Sequence, residues 1–297
     1  DKLKQLIEQA SKTNKQGGNS NRVHLLGHGL GCLFINHFLA DFVTEQWKAQ
    51  FIESFISVSG PYGGNVGVFG QLAGLKEWNL LPSISAFETE LVTNALAGLY
   101  WQLPNQNIPF ASTSNTNEGN NEKQSNDLPI VAYVKCKNAT LTAKNMTWAF
   151  TTTGRFQQAA SLSKAVSAQT ELKAPNVSAH IFIAYSIDKV SLNRSPQFMK
   201  KIYRKKKISD ELSDEKATTP VQILFNGVDG TWQNEIVVEL LGEGDGEIPI
   251  KSLRAPFAWK GMQKLPVSTS ELQGTSHSAI LSDSRFINSL LKILLDS

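Results

Sequence analysis

A glycine-rich turn between an apolar strand and an apolar helix is the feature that most constrains the fold of this chain. The turn has the sequence Gly-His-Gly-Leu-Gly at residues 27–31. It follows a predicted strand at Arg22–Leu26, and the apolar segment Leu30–Phe42 after it is long enough for a helix. A second strand is predicted at Phe51–Ser59. Because a helix between two strands indicates a parallel sheet, we expect an α/β fold with functional residues at the carboxyl ends of the strands.

The whole chain divides into three predicted parts. Residues 1–66 and 176–297 are expected to form an α/β core, and residues 67–175 are expected to form an inserted cap with a polar, mobile loop at 111–126. The other predicted elements are an opening helix at Lys2–Thr13, strands at Ser178–Tyr185, Val221–Phe225 and Glu235–Leu240, and a closing helix at Asp283–Leu295.

Composition excludes several classes of protein. With 297 residues, 41% of them hydrophobic and 19% charged, the chain can bury a core and is neither disordered nor fibrous. The net charge of +3 is too small to indicate a nucleic-acid partner. Two cysteines, Cys32 and Cys136, exclude a disulfide scaffold and a zinc site made of cysteine pairs, and we expect both to be free thiols. His24 and His37 show no metal-ligand spacing, so no metal and no cofactor are expected.

The glycine-rich turn resembles the nucleophile elbow of hydrolases, which has the pattern G-x-S-x-G at a strand-to-helix junction. Gly27, His28 and Gly31 fit the pattern, Gly29 stands where the serine would be, and the amide of Leu30 has the position of an oxyanion donor. Two other interpretations stay open. A dinucleotide fingerprint has its third small position at residue 32 but lacks the acid after the next strand, and a glycine-rich turn can have no function at all.

The order of later residues favours the hydrolase interpretation. In such a fold the acid follows a late strand and the histidine precedes the last helix. Asp245 and His277 have these positions. Asp229 is a rival acid, but it lies in a turn between two late strands, and we favour Asp245.

Taken together, these residues resemble the lecithin:cholesterol acyltransferase family, including its lysosomal phospholipase and transacylase branch and the diacylglycerol acyltransferases of fungi and plants. The similarity runs along the whole chain. Besides the elbow and the opening helix, it is carried by the segments Phe55–Gly64 (FISVSGPYGG), Tyr100–Asn105 (YWQLPN) and Gly244–Leu253 (GDGEIPIKSL), by Trp259 and by His277.

The resemblance implies an α/β-hydrolase core, a cap that binds lipid chains, and a serine that takes an acyl group from a phospholipid and passes it to water, a sterol, a glyceride or another alcohol at a membrane or lipoprotein surface. It implies no cofactor. The nucleophile position falls on Gly29, the acid on Asp245, the base on His277 and one oxyanion donor on Leu30. Because glycine cannot form an acyl-enzyme, we expect impaired activity, and the alternative is a catalytically inactive lipid-binding pseudoenzyme.

Three further expectations concern the setting of the protein. Asn138, Asn145 and Asn176 begin glycosylation acceptor triplets and, with the family's usual setting, favour a secreted, lysosomal or vacuolar location. The basic run at 200–207 fits a solvated linker better than a lipid-headgroup contact. Since the elbow lies unusually near the first residue, we expect the chain to be the later part of a larger domain and its sheet to have an unpaired edge.

Overall fold

The computed structural model describes residues 2–13, 21–65, 68, 72, 92, 95–108, 130–134, 139–144, 146–152, 156–169, 171–185, 222–225, 238–239 and 244–295. Several sequence predictions lie outside these residues: the loop at 111–126, Cys136, Asp229, the acceptor asparagines 138 and 145, and the basic run at 200–207.

The described residues include eight strands, which form two sheets. They are β1 (Val23–His28), β2 (Ile52–Val58), β3 (Ile130–Val134), β4 (Ala139–Thr142), β5 (Ser178–Tyr185), β6 (Gln222–Phe225), β7 (Val238–Glu239) and β8 (Val267–Gln273). The main sheet has the order β1-β2-β5-β8, and all of its neighbours are parallel. The expected parallel α/β sheet is thus confirmed.

The described residues also form nine α-helices. They are α1 (Lys2–Thr13), α2 (Leu30–His37), α3 (Glu45–Phe51), α4 (Ala97–Trp101), α5 (Met146–Thr152), α6 (Phe156–Ala168), α7 (Ile250–Arg254), α8 (Trp259–Met262) and α9 (Ser284–Leu295). A π-helical turn, Phe38–Phe42, extends α2, so the helix predicted at 30–42 is present with a wider last turn. Short 3₁₀ turns at Ala255–Ala258 and Ala279–Ser282 precede α8 and α9.

Each face of the main sheet carries its own apolar core. On one face, side chains of α1, α2, α3, α7 and α8 pack against the strands, and Trp259 is fully buried with its ring 6.3 Å from that of Phe55 and 5.1 Å from that of Tyr62. On the other face, Phe286 of α9 packs against Phe182 of β5 at 5.1 Å. Burial of large apolar side chains on both faces, at about 1.5–3 kcal/mol each, holds the strand ends in a fixed arrangement.

The second sheet has the order β4-β3-β6-β7, and the strands predicted at 221–225 and 235–240 belong to it, where they pair with β3 and with each other. A first correction concerns the main sheet, whose fourth strand is β8, a strand that was not predicted. Its sequence VSTSELQ has mostly polar side chains that lie at least partly exposed, and a strand of this kind gives little hydrophobic signal.

A second correction concerns the start of β2. Phe51 was predicted as strand, but it is the last residue of α3. That helix begins after Thr44, whose hydroxyl accepts a hydrogen bond from the Trp47 amide at 3.2 Å. A threonine cap of this kind stabilises the first turn of a helix by about 1 kcal/mol.

Among the described strands, β1 and β8 lie at the two edges of the main sheet. Leu26, in the middle of β1, is 43% exposed, which is unusual for a leucine in a parallel sheet. None of the described helices combines the length and the apolar character needed to cross a bilayer.

Candidate active site

The site is built on the sharp turn between β1 and α2. Gly29 has φ +54° and ψ −125°, a backbone conformation that side-chain-bearing residues rarely adopt. Its amide donates to the carbonyl oxygen of Val58 at 3.0 Å, and its own carbonyl accepts from the amide of Cys32 at 3.0 Å. These hydrogen bonds fix the turn against β2 and the first turn of α2.

The two flanking glycines of the motif are not equivalent. A Cβ atom at Gly27 would lie 2.9 Å from the amide nitrogen of Cys32, so only glycine allows the helix to pass this close to the strand. A Cβ atom at Gly31 would meet no atom of the described residues within 4 Å. The close approach therefore explains the first glycine of the motif and not the last.

His277 and Asp245 form a hydrogen-bonded pair beside this turn. The Nδ1 atom of His277 lies 2.7 Å from Oδ2 of Asp245, whose side chain is fully buried. The other carboxylate oxygen, Oδ1, accepts from the amides of Glu247 at 3.0 Å and Ile248 at 2.7 Å. With both carboxylate oxygens hydrogen-bonded, the acid has one fixed orientation and holds the imidazole by its Nδ1 atom.

The free edge of the imidazole points at the elbow. A Cβ atom built at Gly29 would lie 3.1 Å from Nε2 and 3.4 Å from Cε1 of His277. The structure therefore brings Gly29, His277 and Asp245 together in the spatial order expected of a nucleophile position, a base and an acid. The histidine side chain is 14% exposed, so the group that faces the elbow retains access to a substrate.

The electrostatics of His277 follow from its partner. Burial lowers the pKa of the imidazole, but the hydrogen bond to Asp245 and the negative charges of Asp245 and Glu247 outweigh burial, and the pKa lies above its ordinary value. A more basic imidazole is a better proton acceptor toward a neighbouring hydroxyl. The pair therefore has the charge arrangement of a general base with an orienting carboxylate.

The backbone amide of Leu30 also lies at the turn between β1 and α2. Leu30 is the first residue of α2, so its N–H has no carbonyl acceptor within the helix. Such an amide at a helix N-terminus can donate to an anionic oxygen. The amide lies next to residue 29, where the sequence predicts an oxyanion donor.

Neighbouring side chains do not supply a substitute nucleophile. The thiol of Cys32 is fully buried and donates to the carbonyl oxygens of Gly27 at 3.0 Å and Val58 at 3.4 Å. Burial raises the pKa of Cys32 to about 11, so it is an unreactive thiol at neutral pH. Ser276 and Ser278 flank the histidine but lie exposed at the surface. Among the described residues, no group of three or more His, Cys, Asp or Glu side chains could hold a metal ion.

One contact at the site was not foreseen from the sequence. The ring of His28 lies 4.5 Å from that of His277, and its Nε2 atom is 2.9 Å from the carbonyl oxygen of His277. The sequence placed His28 in the elbow motif but carried no signal for this pairing, because 249 positions separate the two residues.

Another long-range contact links two segments singled out in the sequence. A Cβ atom at Gly64, which has φ +103°, would lie 2.4 Å from Cα of Pro104, and the amide of Asn65 donates to the carbonyl oxygen of Gln102. The turn after β2 and the residues 100–105 are thus packed against each other. Glycine is required at position 64 by both its backbone angle and this close approach.

The chain is similar to known proteins along most of its length. The family model described as lecithin:cholesterol acyltransferase matches residues 1–284. The mouse phosphatidylcholine-sterol acyltransferase is 34% identical over 102 residues, which are 32% of this chain and 22% of the mouse protein. The lecithin-cholesterol acyltransferase-like protein 1 of Arabidopsis thaliana is 39% identical over 64 residues, 22% of this chain and 14% of that protein. The alignments therefore span less than a quarter of these relatives.

A solved structure resembles the whole described fold. A chain in the crystal structure of the Tle4–Tli4 complex superimposes with a TM-score of 0.53 at 12% identity, covering 98% of this chain and 63% of that chain. At such low identity the likeness concerns the fold alone.

Proposed function

The chain belongs to the lecithin:cholesterol acyltransferase family, and from this premise we propose that it carries the lipid acyl-transfer or phospholipase-like site of an α/β-hydrolase, with glycine at the nucleophile position. Asp245 would be the acid, His277 the base and the Leu30 amide one oxyanion donor. The proposed acyl donor is a phospholipid, and the proposed acceptor is water, a sterol or a glyceride.

The observation that carries the proposal is the position of His277 relative to residue 29. A Cβ atom there would lie 3.1 Å from Nε2, while Nδ1 is held by Asp245 at 2.7 Å. A serine hydroxyl on that Cβ would be within reach of the base. The convergence of base, acid and nucleophile position at one turn supports acyl-transfer chemistry.

With serine at position 29, the reaction would proceed in two balanced steps. The hydroxyl oxygen attacks the ester carbonyl, His277 accepts the hydroxyl proton, and the ester C–O bond breaks as that proton passes to the leaving alkoxide. Water or an acceptor alcohol then attacks the acyl-enzyme with His277 again accepting the proton, and the serine leaves with the proton returned. The negative charge on the carbonyl oxygen would be stabilised by the Leu30 amide in both steps.

Restoring the hydroxyl tests this function. We expect Gly29→Ser to gain covalent labelling by a fluorophosphonate and esterase activity, whereas the unmodified chain remains unlabelled. Gly29→Ala is the matched control, since it adds the same Cβ in the same unfavourable backbone conformation without a hydroxyl. Both substitutions should lower stability by about 1–3 kcal/mol, because the residue has φ +54° and His277 must yield by a few tenths of an ångström.

A comparison of the two variants separates the effect of the hydroxyl from the effect of backbone strain. Labelling of Gly29→Ser but not of Gly29→Ala supports the acyl-transfer site. If Gly29→Ser folds, in a chain extended by any upstream residues of its gene, and still fails to react, the proposal is wrong.

A second candidate function is lipid binding without turnover. It is favoured by the absence of a side chain at Gly29 together with the buried, protonated thiol of Cys32, which leaves no nucleophile among the side chains described at the elbow. We expect such a pseudoenzyme to bind a fluorescent phospholipid or sterol saturably at micromolar concentration. Lack of saturable binding by the unmodified chain would count against it.

The remaining features of the proposal concern organisation and location. We retain residues 67–175 as a lipid-binding cap between the core segments 1–66 and 176–297, with a membrane or lipoprotein surface as the site of action. A secretory-pathway location is supported by Asn176, an exposed acceptor asparagine in the turn before β5. Its side chain donates to Glu45 at 3.3 Å, so a glycan there would have to displace a weak surface contact. Digestion with an N-glycosidase, read by a mass shift, tests this.

A further inference from the structure

The backbone of His277 is held from two sides. Its amide donates to the carbonyl oxygen of Asp245 at 2.8 Å, and its carbonyl oxygen lies 2.9 Å from Nε2 of His28. The first contact comes from the acid's own turn, and the second comes from the elbow. Both polar main-chain groups of the base residue therefore have specific partners.

The ring of His28 adds a second contact with the same residue. Its centroid lies 4.5 Å from that of the His277 ring, with the two planes inclined by 35°. A hydrogen bond to the backbone and a ring contact to the side chain together restrict both the position of the loop and the rotation of the imidazole. Since Nε2 of His277 points at residue 29, this restriction determines where the base faces.

We propose that His28 is a positioning residue that ties the loop carrying His277 to the nucleophile elbow and keeps its Nε2 atom directed at position 29. This inference rests on the proposed function, because it assigns His28 a role toward the proposed base. His28 is adjacent in sequence to the nucleophile position, so its two contacts with His277 hold the base relative to the turn that carries the nucleophile.

The proposal requires a defined protonation state of His28. The carbonyl oxygen of His277 can only accept, so Nε2 of His28 must carry hydrogen. Burial lowers the pKa of His28, the hydrogen bond to His277 raises it, the charge of His277 lowers it, and Asp245 and Glu247 raise it, with a net fall below its ordinary value. The ring is therefore neutral at neutral pH and donates through its Nε2–H tautomer.

The first test uses the unmodified chain and NMR titration of the His277 ring. We expect His28→Phe, which keeps a ring but loses the donor, to lower the pKa of His277 toward its ordinary value, since a looser loop weakens the bond to Asp245. His28→Gln retains an N–H donor and should recover most of the parent titration. His24→Phe, a change on the same strand and the same face of the sheet, is the matched control and should leave His277 unchanged.

The second test uses the Gly29→Ser background. There we expect His28→Phe to lower kcat by roughly tenfold with little change in KM, because the base is misaligned while the lipid site is intact. His28→Gln should restore kcat to within about threefold. Circular dichroism and thermal unfolding of each variant separate misalignment from loss of the fold.

The outcomes distinguish this proposal from the proposed function. An unchanged His277 titration in folded His28→Phe overturns the positioning role, as does an equal loss in His28→Phe and His24→Phe. If His28→Phe does not fold, the titrations of His28→Gln and His28→Ala are compared instead. The role is overturned if the pKa of His277 in His28→Gln is no nearer the parent value than it is in folded His28→Ala. An inactive Gly29→Ser chain would contradict the proposed function, whereas the NMR test in the unmodified chain would still decide the role of His28.

Discussion

His277, at one end of the main sheet, has a different kind of hydrogen-bond partner from His24 and His180 at the other end. At the carboxyl ends of the strands, Nδ1 of His277 lies 2.7 Å from a buried carboxylate, Asp245. At the amino ends, Nδ1 of His24 lies 2.8 Å from the hydroxyl of Ser54, and Nδ1 of His180 lies 2.8 Å from that of Ser268. The same ring atom is hydrogen-bonded in all three cases, so the difference lies in the partner.

The pKa values of these histidines show what the partner does. Burial lowers the pKa of all three, and for His24 and His180 the net pKa remains below the ordinary value. Only at His277 do the hydrogen bond and charge of Asp245 outweigh burial and raise the pKa. A neutral hydroxyl orients an imidazole without making it more basic, whereas a carboxylate does both. The comparison therefore favours His277 as the proposed base on electrostatic grounds, because its partner is a carboxylate.

The largest effect should come from removing the carboxylate. In the Gly29→Ser background we expect Asp245→Asn to lower kcat/KM by on the order of 10³-fold or more, because the amide neither stabilises the imidazolium nor selects the required tautomer. Ester hydrolysis measured against Gly29→Ser alone checks this.

The matched change at the other end is Ser268→Ala. It removes the hydrogen-bond partner of His180 and should leave kcat/KM within about twofold of the background. Comparable losses in the two variants would show that the distinction between the two ends has no bearing on the activity.

Much of the proposed site could be predicted from the sequence because its signals are local. The elbow is a run of five residues, and the positions of Asp245 and His277 follow from their order relative to late elements. The paired geometry of these residues in the structure agrees with that order. Their catalytic roles stay a prediction until the tests above are made.

The histidine–serine pairs could not be predicted in this way. His24 and Ser54 face each other only because β1 and β2 pair in parallel, with a shift of register between Val23 and His24. His180 meets Ser268 through β8, a polar edge strand with little hydrophobic signal. Cross-strand contacts depend on register, and one sequence without related sequences does not determine the register of parallel strands.

The same limit applies to the late strands, whose sheet could not be predicted. β6 and β7 have the β-branched and apolar residues expected of core strands, but their partners are β3 and each other. Strand propensity indicates that a segment is extended and does not indicate which sheet it joins.

A smaller effect is expected when the hydroxyl partner of His180 is replaced by a carboxylate, which tests whether the charge of the partner sets the pKa of the imidazole. We expect Ser268→Asp to move the pKa of His180 from below to above its ordinary value, because the new carboxylate would replace a hydroxyl that lies 2.8 Å from Nδ1. NMR titration of the His180 ring measures this. Ser268→Asn is the control, since it offers an acceptor without charge.

One result would contradict this prediction. If Ser268→Asp and Ser268→Asn shift His180 equally, the hydrogen bond and not the charge sets the pKa, and the contrast with His277 needs another cause.

The smallest effect concerns the pH dependence of stability. The pKa of His277 is raised by folding, so its contribution to stability is fully present below its unfolded pKa and is lost as pH rises through the folded pKa. The pKa of His180 is lowered, so the unfolded chain binds the proton first and stability is lost as pH falls below the ordinary value. His277→Gln should therefore lose most stability in acid, and His180→Gln should gain stability there.

Urea unfolding at about pH 5 and about pH 8 measures both signs in one experiment. Because both imidazoles keep some contact with solvent, we expect each difference between the two pH values to be below about 1 kcal/mol, and only their opposite directions to be decisive. The double variant should show a pH dependence close to the sum of the two, since the pairs lie at opposite ends of the strands. Two differences of the same sign would mean that the pKa values of the two histidines do not differ as their hydrogen-bond partners imply. The electrostatic argument for His277 as the proposed base would then fail.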